Sequence, residues 1–99
     1  MPDLRAKDLA HLDMVVGQEL RLESLRQAVV PPYVMVVPFV HLPPGVLLVR
    51  QDRLDEDGIH GCIFTLRATA AGEGELRVGF RDLRSGEELL VKTIGVRVR

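Results

Sequence analysis

Apolar and polar residues alternate along much of this chain with a period of two, which is the pattern of half-buried β-strands. The clearest example is CIFTLRATAAGEGELRVGFR at residues 62–81, where two alternating runs flank the glycine-containing segment 71–75. The inward positions are Cys62, Phe64, Leu66 and Ala68 in the first run and Leu76, Val78 and Phe80 in the second. These runs predict two strands joined either by a hairpin or by a crossover from one sheet to another.

Other short apolar runs predict further strands. Residues 12–16 and 20–22 alternate on either side of a turn at 17–18. In the last run, 89–98, we expect Leu90, Ile94, Val96 and Val98 to share one face, with Lys92 as the exception. Residues 46–49 predict a short apolar strand after a Pro-Pro-Gly turn, and the polar, acidic segment 51–61 predicts a loop.

The segment YVMVVPFV at 33–40 is apolar on both faces and predicts a strand that is covered on both sides. Pro38 lies within it and donates no ladder hydrogen bond, so we expect either a bulge there or a free outer edge. If one face of this strand is uncovered, it offers an apolar patch to a partner or to a second copy of the chain.

The number and spacing of the strands predict the fold class. About seven short strands with turns between them, and no periodic segment of helix length, favour an all-β protein, specifically an immunoglobulin-like β-sandwich of antiparallel strands. A chain of 99 residues makes a single domain spanning 1–99. We expect residues 1–10 to be weakly structured or to form an edge segment.

Composition narrows the classes of partner. The hydrophobic fraction of 46% and the charged fraction of 27% are those of an ordinary globular protein, and a net charge of -1 gives no bulk attraction to nucleic acid or to an anionic membrane. We therefore expect neither partner. The outward strand positions include Arg67, Arg77, Arg81, Arg97 and Arg99, which predict a single solvated basic face.

The beginning of the chain lacks the apolar core of a secretory signal. The protein is expected to be cytoplasmic if this is the full chain, and periplasmic or secreted if a signal peptide has been removed. The longest apolar stretch, 29–49, is interrupted by prolines and is not expected to cross a membrane.

Cys62 is the single cysteine, so an internal disulfide is excluded. It alternates with core-facing residues, which favours a buried, unreactive thiol over a reactive one. No glycine-rich phosphate loop leads from a strand into a helix, and no histidine shares a plausible face with Cys62. We therefore expect no enzymatic activity and no cofactor.

Metal binding is also not expected. The three histidines, His11, His41 and His60, fall on separate predicted elements without a short ligand spacing. The acidic residues Asp52, Asp55, Glu56 and Asp57, followed by Gly58, raise a calcium hypothesis. Their spacing does not match the alternating ligands of a calcium loop, so a solvated turn is favoured.

The pattern resembles the chagasin family of cysteine-protease inhibitors, which are small immunoglobulin-like sandwiches. The resemblance runs from residue 12 to residue 98 and is carried by VGQELRLE at 16–23, LPPGVLLV at 42–49, FTLRATAAGEGELRVGF at 64–80 and the closing strand at 94–98. It implies that three loops at one end of the sandwich occupy the active-site cleft of a papain-like cysteine protease without covalent chemistry.

The resemblance assigns the partner-binding residues by loop. They are Val30, Pro31, Pro32 and Tyr33 in the first loop, Gly58, Ile59, His60 and Gly61 in the second, and Asp82, Leu83 and Arg84 in the third. The first keeps the aromatic residue that follows the family's Asn-Pro-Thr-Thr-Gly motif but not its Thr-Thr-Gly, and the second matches the family's glycine-rich loop in part. The third stands where the family has Arg-Pro-Trp.

Because loop chemistry decides function on this fold, two hypotheses follow. The first is a non-enzymatic, reversible inhibitor of a papain-like cysteine protease. The alternative is a protein interaction or assembly module without inhibitory activity, which forms a homodimer or binds a partner through the apolar strand 33–40 or an exposed sheet edge.

Overall fold

The computed structural model describes residues 4–27, 36–56 and 59–99, and the side chains of all of these except 26–27, 55–56 and 59–60. The strands are β1 (Leu4–Arg5), β2 (His11–Met14), β3 (Glu19–Gln27), β4 (Val36–His41), β5 (Val46–Glu56), β6 (Ile59–Ala68), β7 (Gly72–Asp82) and β8 (Glu88–Val98), with a short 3-10 helix at Ala6–Asp8.

The strands form two four-stranded sheets that pack as a sandwich. The first sheet has the order β1-β3-β6-β5 and the second has the order β2-β8-β7-β4. The predicted all-β, immunoglobulin-like sandwich is therefore confirmed, with eight strands in the described part of the chain. The prediction that all strands are antiparallel is wrong, because β1 runs parallel to β3 and β2 runs parallel to β8.

The connection between β6 and β7 explains how the two sheets share one core. β6 lies in the first sheet and β7 in the second, so the chain crosses between sheets at 69–71 rather than forming a hairpin. The seven inward residues predicted for this pair are all buried, namely Cys62, Phe64, Leu66, Ala68, Leu76, Val78 and Phe80. The period-two alternation therefore identified the centre of the core.

One residue of β8 departs from its predicted face. Ile94, Val96 and Val98 are buried as expected, but the side chain of Leu90 is 69% exposed. The pairing of β7 with β8 shifts register between Val78 and Phe80, and the backbone of Leu90 has a φ of 52°. Such a bulge adds one residue to a strand and reverses which residues point inward, so the prediction for Leu90 is wrong.

β4 is an edge strand of the second sheet, which accounts for Pro38. Pro38 pairs with Phe80 on one side, and no other described strand lies on the other side, which is the edge position at which a sheet tolerates proline. The prediction that this strand is covered on both sides is wrong within the described residues 36–41. Val37 is 37% exposed, and Phe39 on the same face is half-buried.

The predicted loop at 51–61 is mostly strand. β5 continues to Glu56 and β6 begins at Ile59, so residues 57–58 alone separate them. The pairing with β6 shifts between Leu48 and Arg50, which moves the inward positions of β5 from even to odd numbers. A polar edge strand with a bulge lacks the alternation by which sequence analysis recognises strands.

The predicted single basic face is not present, because its arginines lie on both sheets and four of the five contact carboxylates. Arg67 in the first sheet pairs with Glu19. Arg77 and Arg81 in the second sheet both pair with Glu88. Nε of Arg97 lies 3.6 Å from a carboxylate oxygen of Glu73. These are cross-strand charge pairs of the ordinary wet face of a sheet.

No helix among the described residues is long and apolar enough to cross a membrane.

Candidate functional site

The strand directions bring six strand ends together at one end of the sandwich, which we call the loop end. In the first sheet, Ile59 at the start of β6 pairs with both Gln27 and Glu56, the last residues of β3 and β5. In the second sheet, the start of β4 pairs with the end of β7, which in turn pairs with the start of β8. The connections 28–35, 57–58 and 83–87 all leave from this end.

Hydrogen bonds between connections hold the opposite end together. The Gly17 N–H donates to the Ala68 carbonyl at 2.8 Å, and the Thr69 N–H donates to the Gly45 carbonyl at 2.7 Å. The Val16 N–H donates to the Arg99 carbonyl at 2.9 Å. β6 ends and β7 begins at this opposite end, so β7 returns to the loop end. The relative position of the two sheets is therefore fixed by short connections.

The first predicted loop lies outside the described residues. This applies to all four of its residues, Val30, Pro31, Pro32 and Tyr33, and also to Gly58 of the second loop. Their role as partner-binding residues stays a prediction.

The other residues of the second predicted loop, Ile59 to Gly61, are the first three residues of β6. Gly61 is buried and pairs with Leu25 of β3 and Leu54 of β5. A Cβ atom added at Gly61 would overlap the backbone carbonyl oxygen of Ser24. The absence of a side chain at Gly61 thus allows the backbones of β3 and β6 to approach closely.

The third predicted loop is a tight turn that Asp82 organises. The Asp82 carboxylate oxygen Oδ1 accepts a hydrogen bond of 2.8 Å from the Arg84 N–H, as in an Asx turn. The Asp82 backbone accepts from the Gly86 N–H and donates to the Glu87 carbonyl, both at 2.8 Å. Gly86 has a φ of +75°, which glycine adopts without steric cost. The turn presents Leu83, whose residue surface is 54% exposed.

Beside this turn, an ionic cluster covers the outer face of the second sheet. The Glu88 carboxylate pairs with His41 Nε2 at 3.2 Å, with Arg81 at 3.1 Å and with Arg77. The Phe39 ring contacts both neighbours, with its centroid 4.9 Å from that of His41 and 5.4 Å from the guanidinium carbon of Arg81. Sequence reasoning missed the cluster because its members come from three strands.

The Glu88 carboxylate offsets part of the positive charge of this cluster. The hydrogen bond from His41, then that from Arg81, and the charge of Arg77 lower the pKa of Glu88 below its ordinary value. A carboxylate with such partners stays ionised near neutral pH, and its cations have less charge to offer a ligand. The cluster therefore fastens β4, β7 and β8 to one another next to the loop end.

Cys62 is fully buried, and the prediction of a core-filling thiol is confirmed. Burial raises the pKa of Cys62 from 9.0 to about 12, while a hydrogen bond with Gln51 opposes the shift in part. The thiolate is the reactive form of cysteine. The folded protein therefore offers no reactive sulfur at neutral pH.

We expect Cys62 to resist an aromatic disulfide reagent at pH 8 in the folded protein and to react fully once the chain is unfolded in guanidinium. Because the folded pKa lies above the unfolded one, the thiol contributes stability below pH 9 that is lost as the pH rises toward 12. Absorbance of the released thiolate measures the reaction. Rapid labelling without denaturant would contradict the buried position.

The described residues contain no group of three or more histidine, cysteine or acidic side chains that could hold a metal ion. His11 lies 3.2 Å from the Asp13 carboxylate, and His41 pairs with Glu88. Asp52 of the calcium hypothesis lies 2.9 Å from Nε of Arg50. The side chains of its other acidic residues lie outside the described part of the structure.

No protein-family model matches this chain, and no curated protein matches it by sequence. Solved structures that share its fold include the following two. The crystal structure of the cysteine protease inhibitor EhICP2 from Entamoeba histolytica matches with a TM-score of 0.68 and 17% identity, over 97% of this chain and 92% of that chain. The solution structure of amebosin matches with a TM-score of 0.66 and 13% identity, over 100% of both chains.

The fold thus defines a class, that of small all-β sandwiches shared with a cysteine protease inhibitor. The resemblance inferred from the sequence is confirmed as a likeness of fold over nearly the whole chain. The first of these neighbours is a cysteine protease inhibitor.

Proposed function

We propose that this protein is a non-enzymatic, reversible inhibitor of papain-like cysteine proteases that binds them through its loop end. The observation that carries the proposal is the match of 97% of the chain to the fold of a cysteine protease inhibitor. The strand directions support it, since they direct the connections 28–35, 57–58 and 83–87 to the same end of the sandwich.

The third connection is the part of this surface whose chemistry the structure describes. Asp82 acts as a positioning residue, because its carboxylate and backbone hold the turn in shape. Leu83 offers an exposed apolar side chain, and Arg84 a cation 65% exposed. A turn that is already ordered loses little conformational entropy when it enters a cleft. Residues 30–33 and 58–60 complete the proposed contact, whereas Gly61, which the sequence assigned to it, is buried in β6 and has no side chain to offer a partner.

The proposed inhibition is non-covalent. A mixed disulfide with the catalytic cysteine of the protease would need an accessible thiol at the contact, and the chain's single cysteine is buried with a pKa raised to about 12. Binding then rests on shape, apolar burial and hydrogen bonds. Such inhibition is competitive with substrate and is reversed by dilution.

A titration against a papain-like protease with a fluorogenic peptide substrate tests the proposal. We expect competitive inhibition in the nanomolar to low micromolar range. The Leu83→Ala variant is expected to raise the inhibition constant roughly tenfold, which corresponds to about 1.4 kcal/mol. The matched control is Leu47→Ala, because Leu47 has the same exposed fraction of 54% but pairs with Arg67 near the opposite end.

The Leu47→Ala variant is expected to inhibit like the unchanged protein. An absence of inhibition at high micromolar concentration would overturn the proposal for this protease class. Equal losses in both variants would show that the loop end is not the contact.

A second candidate function is an interaction or assembly module without inhibitory activity. The observation that favours it is that β4 is the edge strand of the second sheet among the described strands and that Val37 is 37% exposed. An apolar edge strand can pair with another chain. A dimeric mass by light scattering, converted to a monomeric mass by Val37→Lys and combined with an absence of inhibition, would favour this function over the first.

A further inference from the structure

A cavity of about 620 Å³ opens between the two sheets beside the 3-10 helix. The chain crosses there from β1 in the first sheet to β2 in the second. β1 pairs with β3 only at Leu22 and Glu23, and β2 pairs with β8 only from Gly95 onward. No described strand pairs with the rest of β3 and β8 on that side, where the 3-10 helix lies instead. The sandwich is therefore open between them.

The lining of the cavity is mostly apolar. Its apolar members come from the helix, from β3, and from β7 and β8, and they are Ala6, Leu25, Val78, Phe80, Leu90 and Val91. A volume of this size lies within the range of pockets that bind small molecules. The apolar lining favours a ligand with a hydrocarbon part.

The polar part of the lining carries an excess of positive charge. Arg5 lies 3.8 Å from the Glu23 carboxylate, so that pair is balanced. Lys92 occupies an inward position of β8 and is half-buried, and its ammonium donates a hydrogen bond of 2.9 Å to the Lys7 backbone carbonyl. Within the described part of the chain, neither Lys7 nor Lys92 has an ion-pair partner.

An ammonium group has three N–H donors, and the carbonyl of Lys7 uses one of those on Lys92. A half-buried cation without a counter-charge favours an anion that enters beside it. Lys7 and Lys92 both line the cavity, so its lining includes two cationic residues.

Leu90 at the cavity supports a ligand-binding role. A φ of 52° places a leucine in the left-handed region, which costs free energy for a bulky side chain. The bulge in β8 turns this leucine outward, where it is 69% exposed although it lines the cavity. Strained backbone conformations of this kind are frequent at ligand-binding sites, where they redirect a side chain.

We propose that this cavity binds a small amphipathic carboxylate, with its hydrocarbon part between the sheets and its carboxylate on Lys92 and Lys7. Its lining residues belong to none of the three connections at the loop end, and the proposal does not depend on protease inhibition. A ligand there would replace water against the apolar lining and would bring a negative charge to Lys92.

The test is a titration of the ¹⁵N-labelled protein with decanoate below its micelle-forming concentration, followed by NMR. We expect saturable shifts of the amide signals of 24–25, 78–80 and 90–92. The uncharged control is decan-1-ol, which has the same chain length, and we expect it to bind at least tenfold more weakly.

Two variants test the contributions of the Lys92 charge and of the strained backbone at Leu90 to binding. Lys92→Met keeps the apolar stem and removes the charge, and we expect at least a tenfold weaker affinity for decanoate with little change for decan-1-ol. Leu90→Asn places a residue that tolerates the left-handed region, and we expect a higher midpoint of unfolding together with weaker decanoate binding.

An absence of saturable shifts at millimolar decanoate would overturn the proposal, as would shifts confined to residues away from the cavity. Equal affinities for decanoate and decan-1-ol in the unchanged protein would overturn the role of the lysines. This comparison needs no variant and so does not depend on the folding of Lys92→Met.

Discussion

The Phe64→Ala variant is expected to have a free energy of unfolding about 3–5 kcal/mol lower than that of the unchanged protein. Phe64 lies in β6, an inner strand of the first sheet, and is 1% exposed. Removing the ring leaves a cavity between two sheets that short connections hold in place. Because a domain of this size is stable by about 5–15 kcal/mol, much of its stability would be lost.

Urea or thermal unfolding measures this change. The control is Phe39→Ala, which removes the same side chain from the half-buried outer face of the edge strand β4. Phe39 contacts His41 and Arg81 but leaves no enclosed cavity when it is truncated, so we expect a cost of at most about 2 kcal/mol. Equal costs for the two variants would contradict the assignment of Phe64 to the core.

The Gly61→Ala variant is expected to have a free energy of unfolding about 1–3 kcal/mol lower than that of the unchanged protein. The new Cβ would overlap backbone atoms, which cannot move away as a flexible side chain can. That Cβ would overlap the carbonyl oxygen of Ser24 and would lie 2.9 Å from Cα of Leu25. At an unobstructed strand position the same change would stabilise by roughly 0.5–1 kcal/mol. The sign of the effect therefore reports the close approach of β3 and β6.

Gly95→Ala is the matched control, since Gly95 also lies in a strand and the nearest atom to its added Cβ is a side-chain atom. That atom, Nδ1 of His11 at 3.2 Å, belongs to an exposed ring that can move. We expect the free energy of unfolding of Gly95→Ala to differ from that of the unchanged protein by at most about 1 kcal/mol. Chemical denaturation measures both variants, and an unchanged or raised stability in Gly61→Ala would contradict the strand pairing at Gly61.

Sequence alone predicted the core because the inward residues of β6 and β7 recur at every second position. The same rule failed in β5 and β8, where a bulge changes which residues face inward. Gln51 and Arg53 come after the bulge in β5. They occupy inward positions of the strand, although their side chains are exposed at the edge of the sheet. Leu90 lies at the bulge in β8. A bulge depends on the partner strand, so a pattern read along one strand cannot reveal it.

The parallel pairings β1–β3 and β2–β8 were missed for a related reason. They join segments that are distant in sequence, and β1 and β2 are too short for their pattern to indicate which strand each one pairs with. The crossover at 69–71 was one of two open alternatives, because a short glycine-containing connection suits a hairpin and a sheet-to-sheet crossover alike.

The candidate site was less predictable than the fold. The third loop was correctly located as a turn, but the use of Asp82 as its internal acceptor follows only from the geometry. Gly61 was interpreted as a loop residue, although its position in β6 explains why it is glycine. The cluster around Glu88 gave no local signal because its members are up to 47 residues apart.

The most direct test of the account is an NMR map of the ¹⁵N-labelled protein with a papain-like protease. One sample holds protease with an open cleft, and a second holds protease whose cleft is filled by a covalent peptidyl inhibitor. We predict changes at 28–33, 57–61 and 82–86 in the first sample and none in the second. Changes along β4 or β5, or the same changes with the filled cleft, would contradict binding through the loop end.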